Sequence, residues 1–181
     1  SYGGEYTDQI EMGVCNVSIP DIHEEGELEG PSLMRLEIKV DPERHIVLGH
    51  VQPLDNKAFF TGLDDELNQK GRNVLVFIHG YNVSFADAAR RTAQMAADLK
   101  FPGAAVFYSW PSQAHWYKYR LDEKNVELSV GQLKSFLLAV AERSHADTIN
   151  LVAHSMGNRL LTAALQEIDS SAKNQGTLFN Q

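Results

Sequence analysis

Residues Val74-Leu75-Val76-Phe77-Ile78 form an unbroken apolar run. Side chains of a strand point alternately to its two faces, so such a run has to be covered on both sides. That requirement asks for helices above and below a sheet, and the chain supplies them. Ser84 with Asp87 resembles a capping box with Asp in place of Glu, and Phe85, Ala88, Ala89, Thr92, Ala96 and Leu99 follow on one helical face. Ala104 to Tyr108 is predicted as the next buried strand. In the helix after it, Val126, Val130, Leu133, Leu137 and Val140 keep the 4,3,4,3 spacing of a single stripe. Thr148 to Ala153 is predicted as a third buried strand, and Leu160, Leu161, Ala164, Leu165 and Ile168 mark the helix beyond it. Apolar strands alternating with helices imply right-handed crossovers and a mainly parallel sheet flanked by helices.

The N-terminal part has a different pattern. Cys15, Val17 and Ile19 share one parity of a strand closed by Pro20, and 21–30 is an acidic, glycine-punctuated loop expected to be solvated. Met34, Leu36, Ile38 and Val40 alternate with charged residues, and Asp41-Pro42-Glu43-Arg44 supplies turn chemistry before Ile46, Leu48 and Val51. This predicts an antiparallel hairpin at the sheet edge. Phe59, Phe60, Leu63 and Leu67 then recur at helical spacing, with Gly71 placed as a C-cap.

At 181 residues, 43% of them apolar, the chain fits one domain, residues 1–181, with a core of its own. Its formal charge of -8, with no run of basic residues longer than two, argues against a nucleic-acid surface. Cys15 is the single cysteine, which excludes an internal disulfide without fixing a compartment, cytoplasmic or exported. No apolar run approaches the roughly 20 residues of a membrane span, and the start of the chain does not read as a signal peptide. The histidines show no metal-ligand spacing, so neither a metal nor another cofactor is expected.

Sheets of this kind bind ligands at the carboxyl ends of their strands. Those ends are 79–84, 109–119 and 154–157, which brings the three most unusual loops to one rim. Ala153-His154-Ser155-Met156-Gly157 reads as small-x-Ser-x-small between a strand and a helix, the pattern of a nucleophile elbow. Ser155 is the candidate nucleophile. The N–H of Met156 at the helix start is one candidate oxyanion donor, and Gly157 is the small residue that lets strand and helix approach. His79-Gly80-Tyr81-Asn82 follows the first buried strand, so the Tyr81 N–H is the second donor, with Gly80 giving close approach and His79 bracing the turn. Trp110, His115, Trp116 and Tyr119 crowd the third loop, where they line a pocket, form a lid or cap the open top of the sheet.

The chain resembles the α/β-hydrolase superfamily, and within it the bacterial family of uncharacterised esterases once catalogued as domain of unknown function 900. The residues that carry the resemblance are V-S-I-P-D-I-H-E-E-G-E-L-E-G-P at 17–31, V-F-I-H-G-Y-N-V-S-F at 76–85, Y-S-W-P-S at 108–112 and A-H-S-M-G-N-R at 153–159. The resemblance implies a soluble Ser-acid-His esterase or lipase that needs no cofactor and takes a small-molecule ester, with Ser155 as nucleophile. This fold presents its triad in the order Ser, acid, His, yet no histidine follows Ser155. The later acids Glu167 and Asp169 would lie roughly 18 to 21 Å along a helix from the serine. The acid, the base and the last strands of the fold are therefore expected beyond residue 181, Thr177 to Asn180 opening the next strand. The alternative is a non-catalytic relative that uses the same cleft to bind an acyl ligand or a protein.

Overall fold

A computed structural model describes residues 9–30, 41–112 and 119–173. Strand β1, Met12–Ser18, pairs antiparallel with β2, Val47–Leu54, from Met12 opposite Leu54 to Ser18 opposite Val47, with a register shift between Cys15 and Val17. Among the described residues β1 and β2 form a two-stranded ribbon, and β2 carries Pro53 opposite Gly13. Cys15 is half-buried in β1, where desolvation raises its thiol pKa. Of the hairpin that the sequence predicts, the arm 34–40 lies outside the described residues and the arm from Ile46 to Val51 runs into β2, paired with β1. Alternation in a sequence assigns a face to a strand, and it does not say which strand lies alongside.

Helix α1, Asn56–Lys70, starts where the Asp55 carboxylate accepts the Ala58 N–H at 2.7 Å. It ends at Gly71, whose φ of +119° no other residue adopts without strain and whose N–H donates to the Leu67 carbonyl. Phe60, Leu63 and Leu67 are its buried stripe. Strand β3, Asn73–Ile78, comes next, and then helix α2, Phe85–Asp98, capped by Ser84 as the sequence predicts: its hydroxyl oxygen accepts the Asp87 N–H at 3.1 Å. The remaining elements are β4, Ala104–Tyr108, α3, Tyr119–Arg143, β5, Thr148–Ala153, and α4, Met156–Lys173.

The parallel sheet has the order β4-β3-β5. On one face Val74, Val76 and Ile78 share a core with Phe60, Leu63 and Leu67 of α1, Leu133, Phe136 and Val140 of α3, and Leu160, Ala164 and Ile168 of α4. On the other face lie Leu75 and Phe77, with α2 beside them: Phe85 meets Phe107, the neighbour of Phe77 in register, edge to face at 5.1 Å. Among the described residues β3 alone is buried along both faces. β4 exposes Ala105, and β5 exposes Thr148, Asn150 and Val152, which corrects the expectation of three strands covered on both sides. Among the described residues both are outer strands, so one row of side chains meets solvent.

The acidic loop after β1 is fastened to the end of α2. His23 Nδ1 meets the Glu29 carboxylate at 2.8 Å and His23 Nε2 meets Asp98 at 2.7 Å. Carboxylates accept hydrogen bonds, so both ring nitrogens donate and the imidazole is a cation held between two anions. The N–H of Gly26 donates to Asp98 and that of Glu24 to Glu29. The bonds to Asp98 and then Glu29 raise the His23 pKa. Asp98 is lowered, first by the Gly26 N–H and then, against desolvation, by His23. For Glu29 burial works to raise the pKa, and the Glu24 N–H and His23 outweigh it. The sequence predicts a solvated loop here, and the structure takes His23 and Glu29 out of water, to side-chain exposures of 11% and 13%.

Among the described residues no helix is long and apolar enough to cross a membrane, and no group of three or more His, Cys, Asp or Glu side chains is placed to hold a metal ion.

Candidate active site

Ile78, the last residue of β3, lies opposite Tyr108 on one side and Ala153 on the other. The three strands therefore end at one level, and the loops beginning at His79, Ser109 and His154 rise from a common rim.

Ser155 occupies the turn between β5 and α4 with φ +52°, a left-handed conformation rare for any residue other than glycine. Holding a serine there costs of order 1–3 kcal/mol, which the surroundings have to supply. The Ile78 carbonyl accepts the His154 N–H at 3.1 Å, the His154 carbonyl accepts the Gly157 N–H at 2.9 Å, and the Ser155 carbonyl accepts the Asn158 N–H at 3.0 Å. Met156 is 4% exposed and anchors the turn in the core, while Ser155 itself is exposed. Gly157 is where α4 crosses the end of β3. A Cβ added there would lie 2.5 Å from the Ile78 carbonyl oxygen and 2.6 Å from that of His79. Met156 opens α4, and the N–H groups of a first helical turn have no partner four residues back within the helix, which favours negative charge in front of them.

The turn His79-Gly80-Tyr81-Asn82 packs directly against this elbow. A Cβ added at Gly80 would lie 2.8 Å from His154 Nδ1 and 2.9 Å from both the His154 carbonyl oxygen and the Ser155 Cβ. Asn82 takes a left-handed φ of +57°, which Asn tolerates better than most residues. His79 is 1% exposed, and its Nδ1 lies 2.9 Å from the Gly80 carbonyl oxygen, so this nitrogen carries the proton and donates. Its Nε2 lies 3.3 Å from the Ser109 hydroxyl.

Trp110 completes the turn from the β4 side. Its ring stacks on the His79 imidazole at 5.1 Å and 12°, and its indole N–H donates to the His79 carbonyl at 2.7 Å. With 1% of its surface exposed it is part of the core under the rim. Of the two readings of Trp110, a pocket wall or lid and a cap on the end of the sheet, its burial agrees with the cap: an indole with a buried partner for its N–H gains more beneath the rim than over it. The Asn125 side chain of α3 donates to the Pro111 carbonyl at 2.7 Å and fixes the chain just after it. Proximity in sequence to Ser109 and Pro111 gives Trp110 its place, but only the fold brings it to His79, a residue 31 positions earlier.

Tyr81 is partly buried and packs against the core. His115 and Trp116 lie outside the described residues, and Tyr119 opens α3. His154 is exposed beside the serine. Glu167 and Asp169 lie on α4 beyond reach of the elbow, and Glu167 pairs with Lys134 of α3 at 3.5 Å. The rim thus brings together a strained serine, the start of a helix and a glycine turn, an arrangement suited to attack on a carbonyl and to binding the oxyanion that results.

The model of a family described as alpha/beta hydrolase of unknown function (DUF900) matches residues 55–180. The match begins at the cap of α1 and takes in the whole parallel sheet. The segment 17–31 lies outside it. A search of the curated proteins gives no match, and a search of the solved structures gives none.

Proposed function

The chain belongs to this α/β-hydrolase family, and from that premise we propose that it is a serine hydrolase of the esterase or lipase type, acting on carboxylic esters. Ser155 is the nucleophile, and the backbone N–H groups of Tyr81 and Met156 form the oxyanion hole. The observation that carries this reading is the left-handed, exposed Ser155 with Gly80 packed against its Cβ. Structural serines have no need of a strained turn at a sheet rim, whereas a nucleophile has to stand clear of the strand that carries it.

In the first step Ser155 Oγ attacks the ester carbonyl carbon. The new C–O bond forms as the carbonyl π pair moves onto oxygen, and the Oγ proton passes to a base. The oxyanion collapses, the C–O bond to the alcohol breaks, and the alcohol leaves with that proton. Water then attacks the acyl-serine by the same route in reverse and releases the acid. Each donor of such an oxyanion hole is worth about 10²–10³ in kcat. In the chain order of this fold the acid and base follow the nucleophile, and Glu167 and Asp169 lie too far along α4 to serve.

The test is reaction of the full-length protein with a fluorophosphonate, followed by intact-mass and peptide mass spectrometry. One phosphonyl group on Ser155, absent in Ser155→Ala, is expected. A folded full-length protein whose Ser155 stays unmodified sinks the reading, and a binding protein without catalysis then takes its place.

A further inference from the structure

In the turn that follows β3, two successive peptide groups are each pinned by their carbonyl. The His79 carbonyl accepts the Trp110 indole N–H at 2.7 Å. The Gly80 carbonyl accepts the His79 Nδ1–H at 2.9 Å. In a trans peptide the C=O and the following N–H point in opposite directions within one plane. Fixing the Gly80 carbonyl toward the buried imidazole therefore turns the Tyr81 N–H away from it. The imidazole in turn cannot swing, because it is 1% exposed, stacked on Trp110 and met at Nε2 by the Ser109 hydroxyl. Glycine is the most permissive residue type for the backbone, so a turn built on Gly80 needs its planes set from outside.

We propose that Trp110 and His79 are positioning residues, which together fix the two peptide planes of the turn and so aim the Tyr81 N–H at the oxyanion position. The proposal rests on the reading of Ser155 as nucleophile. Neither side chain touches the substrate. Trp110 acts on the His79–Gly80 plane through its indole N–H, and His79 acts on the Gly80–Tyr81 plane through Nδ1. Ser109 favours the tautomer that this requires, because its hydroxyl can donate to an unprotonated Nε2. Since the oxyanion exists only in the transition state and the intermediate, the aim of this donor governs kcat and leaves substrate binding unchanged.

The experiment uses the full-length protein and two replacements of Trp110. Trp110→Phe keeps an aromatic ring and removes the N–H. In the second variant, benzothienylalanine at position 110 exchanges the indole N–H for sulfur, keeps the ring shape and avoids a packing defect. For both, kcat on a short-chain 4-nitrophenyl ester is expected to fall about tenfold or more, part of the 10²–10³ carried by an oxyanion donor, with KM within about twofold. Fluorophosphonate labelling of Ser155 per folded molecule should fall by the same factor. If Trp110→Phe fails to fold, the sulfur analogue decides. Wild-type protein that labels, with variants that lose stability but label at the wild-type rate per folded molecule, overturns the proposal and leaves the hydrolase reading standing. Wild-type protein that does not label overturns both.

Discussion

Gly80→Ala is the sharpest probe of how closely the turn at Gly80, the proposed oxyanion turn, is packed against Ser155. The added methyl would stand 2.9 Å from the Ser155 Cβ and from the His154 carbonyl oxygen, and 2.8 Å from His154 Nδ1. The His154 ring is exposed and can rotate aside. The other two atoms cannot, because the Ile78 carbonyl and the first turn of α4 hold them. Non-bonded carbons rest about 3.5–4.0 Å apart, so the turn and the elbow have to separate by roughly 0.6–1 Å. Gly80 is not among the residues with positive φ, so the effect is one of space alone. Overpacking of this size costs about 1–3 kcal/mol of stability. A displacement near 1 Å at a reacting centre costs about 10² in rate, so Ser155 labelling per folded molecule should fall roughly 10- to 100-fold. The assay pairs labelling rates with urea unfolding. Gly131→Ala is the control: a Cβ there meets nothing within 4 Å, and the helix should gain about 0.5–1 kcal/mol without change in labelling. A Gly80→Ala protein that labels within twofold of wild type and unfolds at the same midpoint would refute the close approach.

The other expectations concern the frame around the site. Gly157→Ala forces a methyl against the Ile78 carbonyl at the end of β3 and the His79 carbonyl that Trp110 holds, so it should destabilise by about 1–3 kcal/mol in urea unfolding; an unchanged midpoint counts against the crossing of α4 over the end of β3. Asp55→Ala removes the cap of α1 and should lower stability by about 1 kcal/mol in the same measurement. The clasp of His23, Glu29 and Asp98 gives stability a pH profile. The His23 pKa is raised, so its contribution is complete below the unfolded value of about 6.5 and is lost as pH rises through the folded value. Glu29 and Asp98 are lowered, so theirs is present above about pH 4 and is lost as pH falls through their folded values. Stability from the clasp is therefore greatest near pH 5–6, and His23→Gln should flatten the alkaline decline; parallel profiles for the two proteins would remove the clasp from the account.

The sequence carried the parallel part of the fold clearly, because its signals are local. Ser84 and Gly71 sit at helix ends where their own backbone preferences put them, and Val74 to Ile78 needs cover on both faces wherever it lies. The sharp turn from β5 into α4 was legible for the same reason, since Ala153 to Gly157 encodes it within five residues. Position within the sheet was not. Apolar runs in β4 and β5 resemble that of β3, and being on the outside of three strands is a property of the assembly, invisible in Val152 or Ala105 by themselves. Long-range polar partners were equally hidden: nothing near His23 points to Asp98, 75 residues away, and nothing near Trp110 points to the His79 carbonyl. Such pairs are chosen by topology, and the sequence shows only that a histidine and a tryptophan are present.

The carbonyls at the end of β3 also set the order in which the site can come into being during folding. The Ile78 carbonyl receives its partner only when β5 has docked, and the His79 carbonyl only when β4 has delivered Trp110. Each parallel pairing encloses a helix, so a long loop has to close before any contact rewards it, and such contacts form slowly. Until both strands are in place, only the local hydrogen bonds from the Gly157 and Asn158 N–H groups hold the turn at Ser155. The turn at Ser155 and the turn at Gly80 are thus fully braced only in the finished sheet. On the proposed reading of Ser155 as a nucleophile, its labelling by a probe, sampled during refolding, becomes a clock for the last strand to dock.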